Sequence, residues 1–340
     1  MINHKLLNQI LDTLEINIPN DENSMNEFIY NINLYKDGFS ANEYSFLMTI
    51  REYKDGFGSR LMHSYSKPIQ ELEIFIEICK TIGNNVLNRV LNKNSSKTIA
   101  LKRLHQKSVL ISSEIVYLIK GGYSSAALSR WRTLLETSII ALFLSLNDEL
   151  LSERYLDYEV VDTKKEMNTY KENFALLGFE KISENEQIEL DKKYNSILKK
   201  YGNNFKNDNG WAAEILSKSR PNLHDFMDYL DLKYIKPYYK FSNNYVHSGA
   251  KSLMYNLGYI DGVDSDDNTI CSPSNIGFTD PAQLCMLSFF NSTISLLNIN
   301  PSEEDLISIL SLYNQIKYIS QSFLKIEKNL VDDESKVKNL

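Results

Sequence analysis

Apolar positions recur every three or four residues through most of the chain, and the spacing predicts a succession of amphipathic helices. The strongest of these runs from Gly121 to Leu146, where Leu128, Trp131, Leu135, Ser138, Leu142 and Leu146 mark one face and Leu134, Ile139 and Phe143 widen it. Such a stripe needs a partner over about six turns, so this is a core helix. Thr98 to Lys120 carries a second long stripe of Leu101, Leu104, Ile111, Ile115 and Leu118. Gly121 and Gly122 break the chain between the two, which predicts an antiparallel pair. Ile69 to Val90, opened by Pro68, Leu150 to Phe174, Pro281 to Asn298 and Ser302 to Leu330 show the same periodicity. Glu180 to Lys200 is charged with only a thin stripe of Ile188, Tyr194 and Leu198, as expected for a solvated helical arm.

No alternating run suggests a strand, so the expected fold is all-α: a helical bundle with N- and C-terminal helical extensions. Asn92 to Ser96, NKNSS, is the best internal linker. It divides an N-terminal helical region (1–96), with a short first helix over Met1 to Ile18, from a core bundle (97–257). A loop with C-terminal helices (258–330) and a frayed tail (331–340) complete the division. Lys-Asp-Gly occurs at Lys36 to Gly38 and Lys54 to Gly56, and Asp-Gly predicts a turn at each.

Composition narrows the function classes. The net charge of −7 gives no global attraction for nucleic acid or an anionic membrane, so any RNA contact has to come from a local cleft. The longest apolar run, Ile139 to Leu144, is too short to cross a bilayer and no charged-then-apolar leader opens the chain, so a cytoplasmic location is expected. Cys79, Cys271 and Cys285 are isolated, which fits reduced thiols. Without a Cys-x-x-Cys or Cys/His pair, no metal or other cofactor is expected. The acidic run of Asp261, Asp264, Asp266 and Asp267 lacks the glycine and glutamate of a calcium loop. Phosphate-binding glycine loops, a nucleophile elbow and a zinc-protease helix are absent from the sequence.

The residues left to carry chemistry fall on three segments. Arg132 and Glu136 are one turn apart on the flank of the Gly121 to Leu146 helix, beside Arg130. Asp157 follows Arg154 and Tyr155. In the third segment Tyr229, Tyr234, Tyr238, Tyr239, Phe241, Tyr245 and Tyr255 gather around His247, and a helix begun at Pro237 would set Asn243, Asn244 and His247 on neighbouring faces. Polar groups at the margins of core helices need partners once the stripes pack. Arg132, Glu136, Asp157 and His247 are therefore expected near one another, either as a functional pocket or as a buried ion-pair network serving packing alone. His4, His63, His105 and His224 lack such company and read as surface or incidental.

SAALSRWRTLLE at Ser125 to Glu136, followed by Arg154 to Tyr158 (Arg-Tyr-x-x-Tyr) and Tyr245 to Ser248 (Tyr-x-His-Ser), resembles a bacterial helical family of unknown function over about residues 101–257. The arrangement also resembles, more distantly, the HEPN helical domains of toxins and phage-defence proteins, many of which are metal-independent ribonucleases acting as dimers. Their motif is an arginine, four to six residues, then a histidine. Here Lys240 is the nearest preceding cation, with six residues between it and His247, and Phe241 follows it. The resemblance implies an HEPN-like core, an RNA substrate, a homo-oligomer and a co-encoded defence partner. It implies His247 as acid or base, Lys240 or Arg132 as charge stabiliser, and Asn243 and Asn244 as positioning groups, with Tyr245 stacking on a base and Ser248, Glu136 and Asp157 in support. The rival is a non-catalytic regulatory or ligand-binding module, and the two differ in whether His247 is exposed in a cleft or enclosed.

Overall fold

A computed structural model of the chain describes residue 13 and residues 22–91, 94–253, 257–258 and 273–338. Among these residues the regular structure is entirely helical, as the periodicity predicts. In chain order the α-helices are α1 (Glu22–Arg89), α2 (Ser96–Lys120), α3 (Ser124–Leu146), α4 (Glu149–Asp157), α5 (Glu159–Asn173), α6 (Glu184–Tyr201), α7 (Leu223–Tyr229), α8 (Lys236–Ser242), α9 (Thr279–Leu297) and α10 (Glu303–Lys338). Short 3₁₀ turns lie between α6 and α9. None of the described helices is long and apolar enough to cross a membrane. Most of the Met1 to Ile18 segment, the acidic run after Gly258, Tyr255 and Cys271 fall outside the described residues.

Compact packing divides the chain into two units, Met1–Arg60 and Leu61–Leu340. In the first, both Lys-Asp-Gly triplets are helical rather than turns. A glycine within a helix costs only about 1 kcal/mol against alanine, too little to stop a helix whose neighbours favour it. Pro68 likewise lies inside α1 instead of starting a helix. The lost backbone donor is tolerated where Tyr65, Ile69 and Leu72 are fully buried around it.

The second unit begins well before the Asn92 to Ser96 segment that the sequence suggests as a boundary. Its reason is burial: Leu61, Tyr65, Ile69, Leu72, Ile76, Cys79, Val86 and Val90 form one apolar stripe with no exposed member. Polar bonds tie that stripe to distant parts of the chain, with the Tyr65 phenol donating to the Asn275 carbonyl at 2.8 Å. Arg89 and Asn85 both reach the buried carboxylate of Asp305, at 2.7 and 3.1 Å. The core bundle is therefore not closed by residues 97–257 alone.

α2 and α3 form the expected hairpin. Ser95 caps α2, and the Gly121 N–H closes it on the Tyr117 carbonyl at 3.0 Å before Gly122 turns the chain at φ +83°. α9 packs on both members of the pair, and α10 packs on α9. Serines stitch this otherwise apolar centre: the Trp131 indole donates to Ser288 Oγ at 2.9 Å, and Ser108 donates to Ser292 at 2.8 Å.

His105 is not incidental. Only 3% exposed, it shares the buried stripe of α2 with Leu101, Leu104 and Ser108. It sits against the Phe289 ring, 3.4 Å from the Thr293 hydroxyl, and burial pulls its pKa down to about 4 despite a hydrogen bond to the Cys79 backbone. Cys79 and Cys285 are buried free thiols whose pKa burial pushes up to about 12.

Elsewhere the predicted helices are interrupted. The Leu150 to Phe174 helix breaks at Tyr158, giving α4, capped by Asp148, and α5. α6 is the expected solvated helix, opened by the Ser183–Glu186 capping box and without a buried residue. Trp211 sits buried in a 3₁₀ turn (Gly210–Ala212). α10 continues to Lys338, through residues that the sequence suggests as a frayed tail.

Candidate functional site

The helix expected to run from Pro237 through His247 ends at Ser242. Ser242 turns its hydroxyl back onto the Tyr239 carbonyl at 2.8 Å, and Asn243 to Tyr245 tighten into a 3₁₀ turn. Val246 to Gly249 then leave regular structure, with the His247 N–H bonded to the Asn243 carbonyl at 3.0 Å. His247 is thus carried on irregular backbone and is exposed.

This segment lies on the first turns of α3. Ser129 Oγ is 2.8 Å from the Tyr245 carbonyl and 3.0 Å from the Ser125 carbonyl, two acceptors that compete for one hydroxyl proton. The Phe241 and Tyr245 rings meet edge to face at 5.4 Å. Burial and the charge of Asp280 push the Tyr245 phenol up to about 12. On the other side, the Leu257 N–H donates to Ser125 Oγ at 3.3 Å, and the Ser274 N–H donates to the Gly122 carbonyl at 3.0 Å.

Between the two walls opens a cleft of about 710 Å³. Ser125, Ser129 and Thr133, four residues apart, line one side with Arg130 beside them, while Asn244, Tyr245, His247, Ser248 and Ser252 line the other. Arg130 Nε donates to the Glu114 carboxylate of α2. Apart from that bond, the guanidinium has no hydrogen-bond partner among the described residues, and neither does the His247 ring. No carboxylate lines the cleft among the described residues; Leu118, Ala126 and Val246 give it apolar wall, and its polar groups are hydroxyls, the Asn244 amide, an imidazole and a guanidinium.

The other residues expected at the site are held elsewhere. Arg132 donates to the Tyr239 hydroxyl at 2.6 Å and lies 4.4 Å from that ring's centre, and the same hydroxyl donates to Glu136 at 3.3 Å. Arg132 and Glu136 therefore meet through a tyrosine of α8, with the His224 ring edge-on to it at 5.7 Å. Arg132 Nε and Asn243 Oδ1 are buried without a hydrogen-bond partner among the described residues. Asp157 belongs to a third cluster, accepting from Lys200 at 3.0 Å and Tyr201 at 2.7 Å. Next to it Arg154 donates to the Trp211 carbonyl at 3.1 Å and to Glu214, pinning the turns that follow α6. Lys240 is exposed on α8, and neither it nor Asn243 lines the cleft.

The expected single cluster is thus three. His247, Asn244, Tyr245 and Ser248 share the cleft, Arg132 and Glu136 share Tyr239, and Asp157 pairs with α6. Sequence reasoning missed Ser125, Ser129, Arg130, Thr133 and Ser252 as cleft residues. The available signal was the hydroxyl repeat at 125, 129 and 133, one stripe over from the apolar face of the helix.

A model of a family of unknown function, DUF5677, matches residues 98–269, half of the chain. The chain belongs to that family. All residues lining the cleft fall within the DUF5677 match, whereas α9 and α10, which pack against the hairpin that carries the cleft wall, lie beyond it. No curated protein and no solved structure matches the chain.

Proposed function

We propose that the chain is a metal-independent endoribonuclease working in the His247 cleft, in a bacterial toxin or phage-defence setting, with an HEPN-like core acting as a homo-oligomer. The observation that carries the reading is the exposure of His247 in a cleft that it shares with Arg130 and that is free of carboxylates among the described residues. Imidazole is the side chain best suited to exchange protons near neutrality. In the proposed reaction it takes the proton of a ribose 2′-hydroxyl as O2′ bonds to phosphorus. The P–O5′ bond then breaks, and the imidazolium returns a proton to the departing O5′. The products are a 2′,3′-cyclic phosphate and a 5′-hydroxyl, and no metal ion takes part. Of the two cations expected from the sequence, Arg132 donates to the Tyr239 hydroxyl, and neither it nor Lys240 lines the cleft.

A second reading, a non-catalytic ligand-binding module, has one observation in its favour: among the described residues no side chain holds the His247 ring in a fixed orientation. Incubation of the wild-type protein with RNA in excess EDTA separates the two. Fragments ending in 2′,3′-cyclic phosphate are expected; RNA as intact as in buffer, with any co-encoded partner present, leaves the ligand-binding module.

A further inference from the structure

We infer that the His247 cleft is a phosphate-binding site in which Arg130 grips the phosphate and Glu114 aims the arginine. The inference takes the cleft to be the functional site, as above, but it does not require that the bound molecule be cut.

Three observations converge on it. Arg130 lines the cleft beside Thr133, while the hydroxyl of Ser129 is spent on the Tyr245 and Ser125 carbonyls. Its Nε is committed to Glu114, which leaves the two terminal nitrogens, the pair that makes a bidentate fork, without a bond among the described residues. Across the cleft stand His247 and Ser248, both exposed, and no carboxylate joins them among the described residues. An arginine fork, an imidazole and the hydroxyls of Thr133 and Ser248 lining one cleft match a tetrahedral oxyanion bearing several acceptor oxygens. Phosphate, as a monoester or within a nucleic-acid backbone, is the ligand class that uses all of these donors together. The pairing of Nε with Glu114 also explains how one half-exposed arginine keeps its orientation: the carboxylate of α2 ties down a side chain that would otherwise sample many rotamers.

The role of Glu114 makes a prediction of opposite sign to simple electrostatics. A carboxylate near a phosphate repels it, so if Glu114 is merely a neighbour, Glu114→Gln tightens binding. If it positions Arg130, Glu114→Gln weakens binding although a negative charge has been removed. Arg130→Lys keeps the charge and loses the fork, so it separates geometry from charge.

The probes are a fluorescein-labelled oligonucleotide with every 2′-hydroxyl methylated, which cannot undergo the cleavage reaction, followed by anisotropy, and inorganic phosphate as its competitor. Arg130→Gln and Arg130→Lys should both weaken oligonucleotide binding about tenfold or more, and Glu114→Gln should weaken it by a smaller factor. Arg103→Gln, an equal charge loss at an exposed position of α2 outside the cleft, controls for net charge and should bind as wild type. Melting temperatures confirm that each variant is folded. Wild-type affinity in Arg130→Lys, tighter binding in Glu114→Gln, or no binding of either probe by the wild type overturns the inference. Weakened binding in the Arg130 variants by a protein that leaves unmodified RNA intact keeps the phosphate site and removes the ribonuclease reading.

Discussion

Replacing His247 with glutamine is expected to lower RNA cleavage in EDTA by about 10²–10⁴-fold, the usual contribution of a positioned acid–base group, while leaving the melting temperature unchanged. Both halves follow from where the side chain sits. The ring is exposed on irregular backbone and has no hydrogen-bond partner among the described residues, so removing it opens no cavity and orphans no buried group. Glutamine keeps a polar side chain of similar reach but does not titrate, so what disappears is proton transfer. A fall in cleavage accompanied by a fall in melting temperature would speak for a structural role. Unchanged cleavage in a stable variant removes His247 from the chemistry.

Gly83→Ala is expected to destabilise the second unit by about 3 kcal/mol or more, at the upper end of overpacking costs. A methyl group at Gly83 would stand 2.2 Å from His105 Cε1 and 2.8 Å from Nδ1, far inside van der Waals contact. The ring has nowhere to go. Phe289 lies against it at 5.4 Å between centres, Thr293 meets its Nε2 at 3.4 Å, and the Cys79 backbone holds it by a hydrogen bond. Relief therefore requires moving α1 away from α2, which would break the contact of His105 with Gly83 and with the Cys79 backbone. Urea unfolding of the variant beside wild type measures the effect. A loss below about 0.5 kcal/mol, the size of an ordinary surface change, would mean that the two helices are not in this contact.

The fold was readable because helical periodicity depends on short-range order. The stripes of α2, α3, α9 and α10 are written in the spacing of Leu, Ile, Phe and Trp, and Gly121-Gly122 marks the one turn that makes α2 and α3 neighbours. Interruptions were harder to read. The apolar spacing continues past Tyr158 and past Ser242, and each helix stops because a distant partner rewards the change. Tyr158 donates to the Asn207 carbonyl at 2.7 Å, and the Tyr245 carbonyl accepts from Ser129. The site was legible only in part for the same reason. Tyr-x-His-Ser drew attention to His247, Tyr245 and Ser248, but the expected gathering of Arg132, Glu136 and Asp157 around it assumed that polar margins seek one another. Arg132 and Glu136 instead found Tyr239, and Asp157 found Lys200 and Tyr201. Arg130 went unchosen because a helix sequence gives the angle between 130 and 132 but not which of the two the neighbouring loop will cover. His105 was misread for a related cause: the glycine that makes room for it lies on another helix.

Placement of the functional site at His247 is tested most directly by the ring resonances of the five histidines, followed in proton–carbon spectra during titration with an RNA whose 2′-hydroxyls are methylated. His247, assigned by its loss in the glutamine variant, should shift with the titration while His105, enclosed in the core, stays fixed. Saturating RNA that moves other histidines and leaves the His247 signal where it began would place the binding surface elsewhere on the molecule.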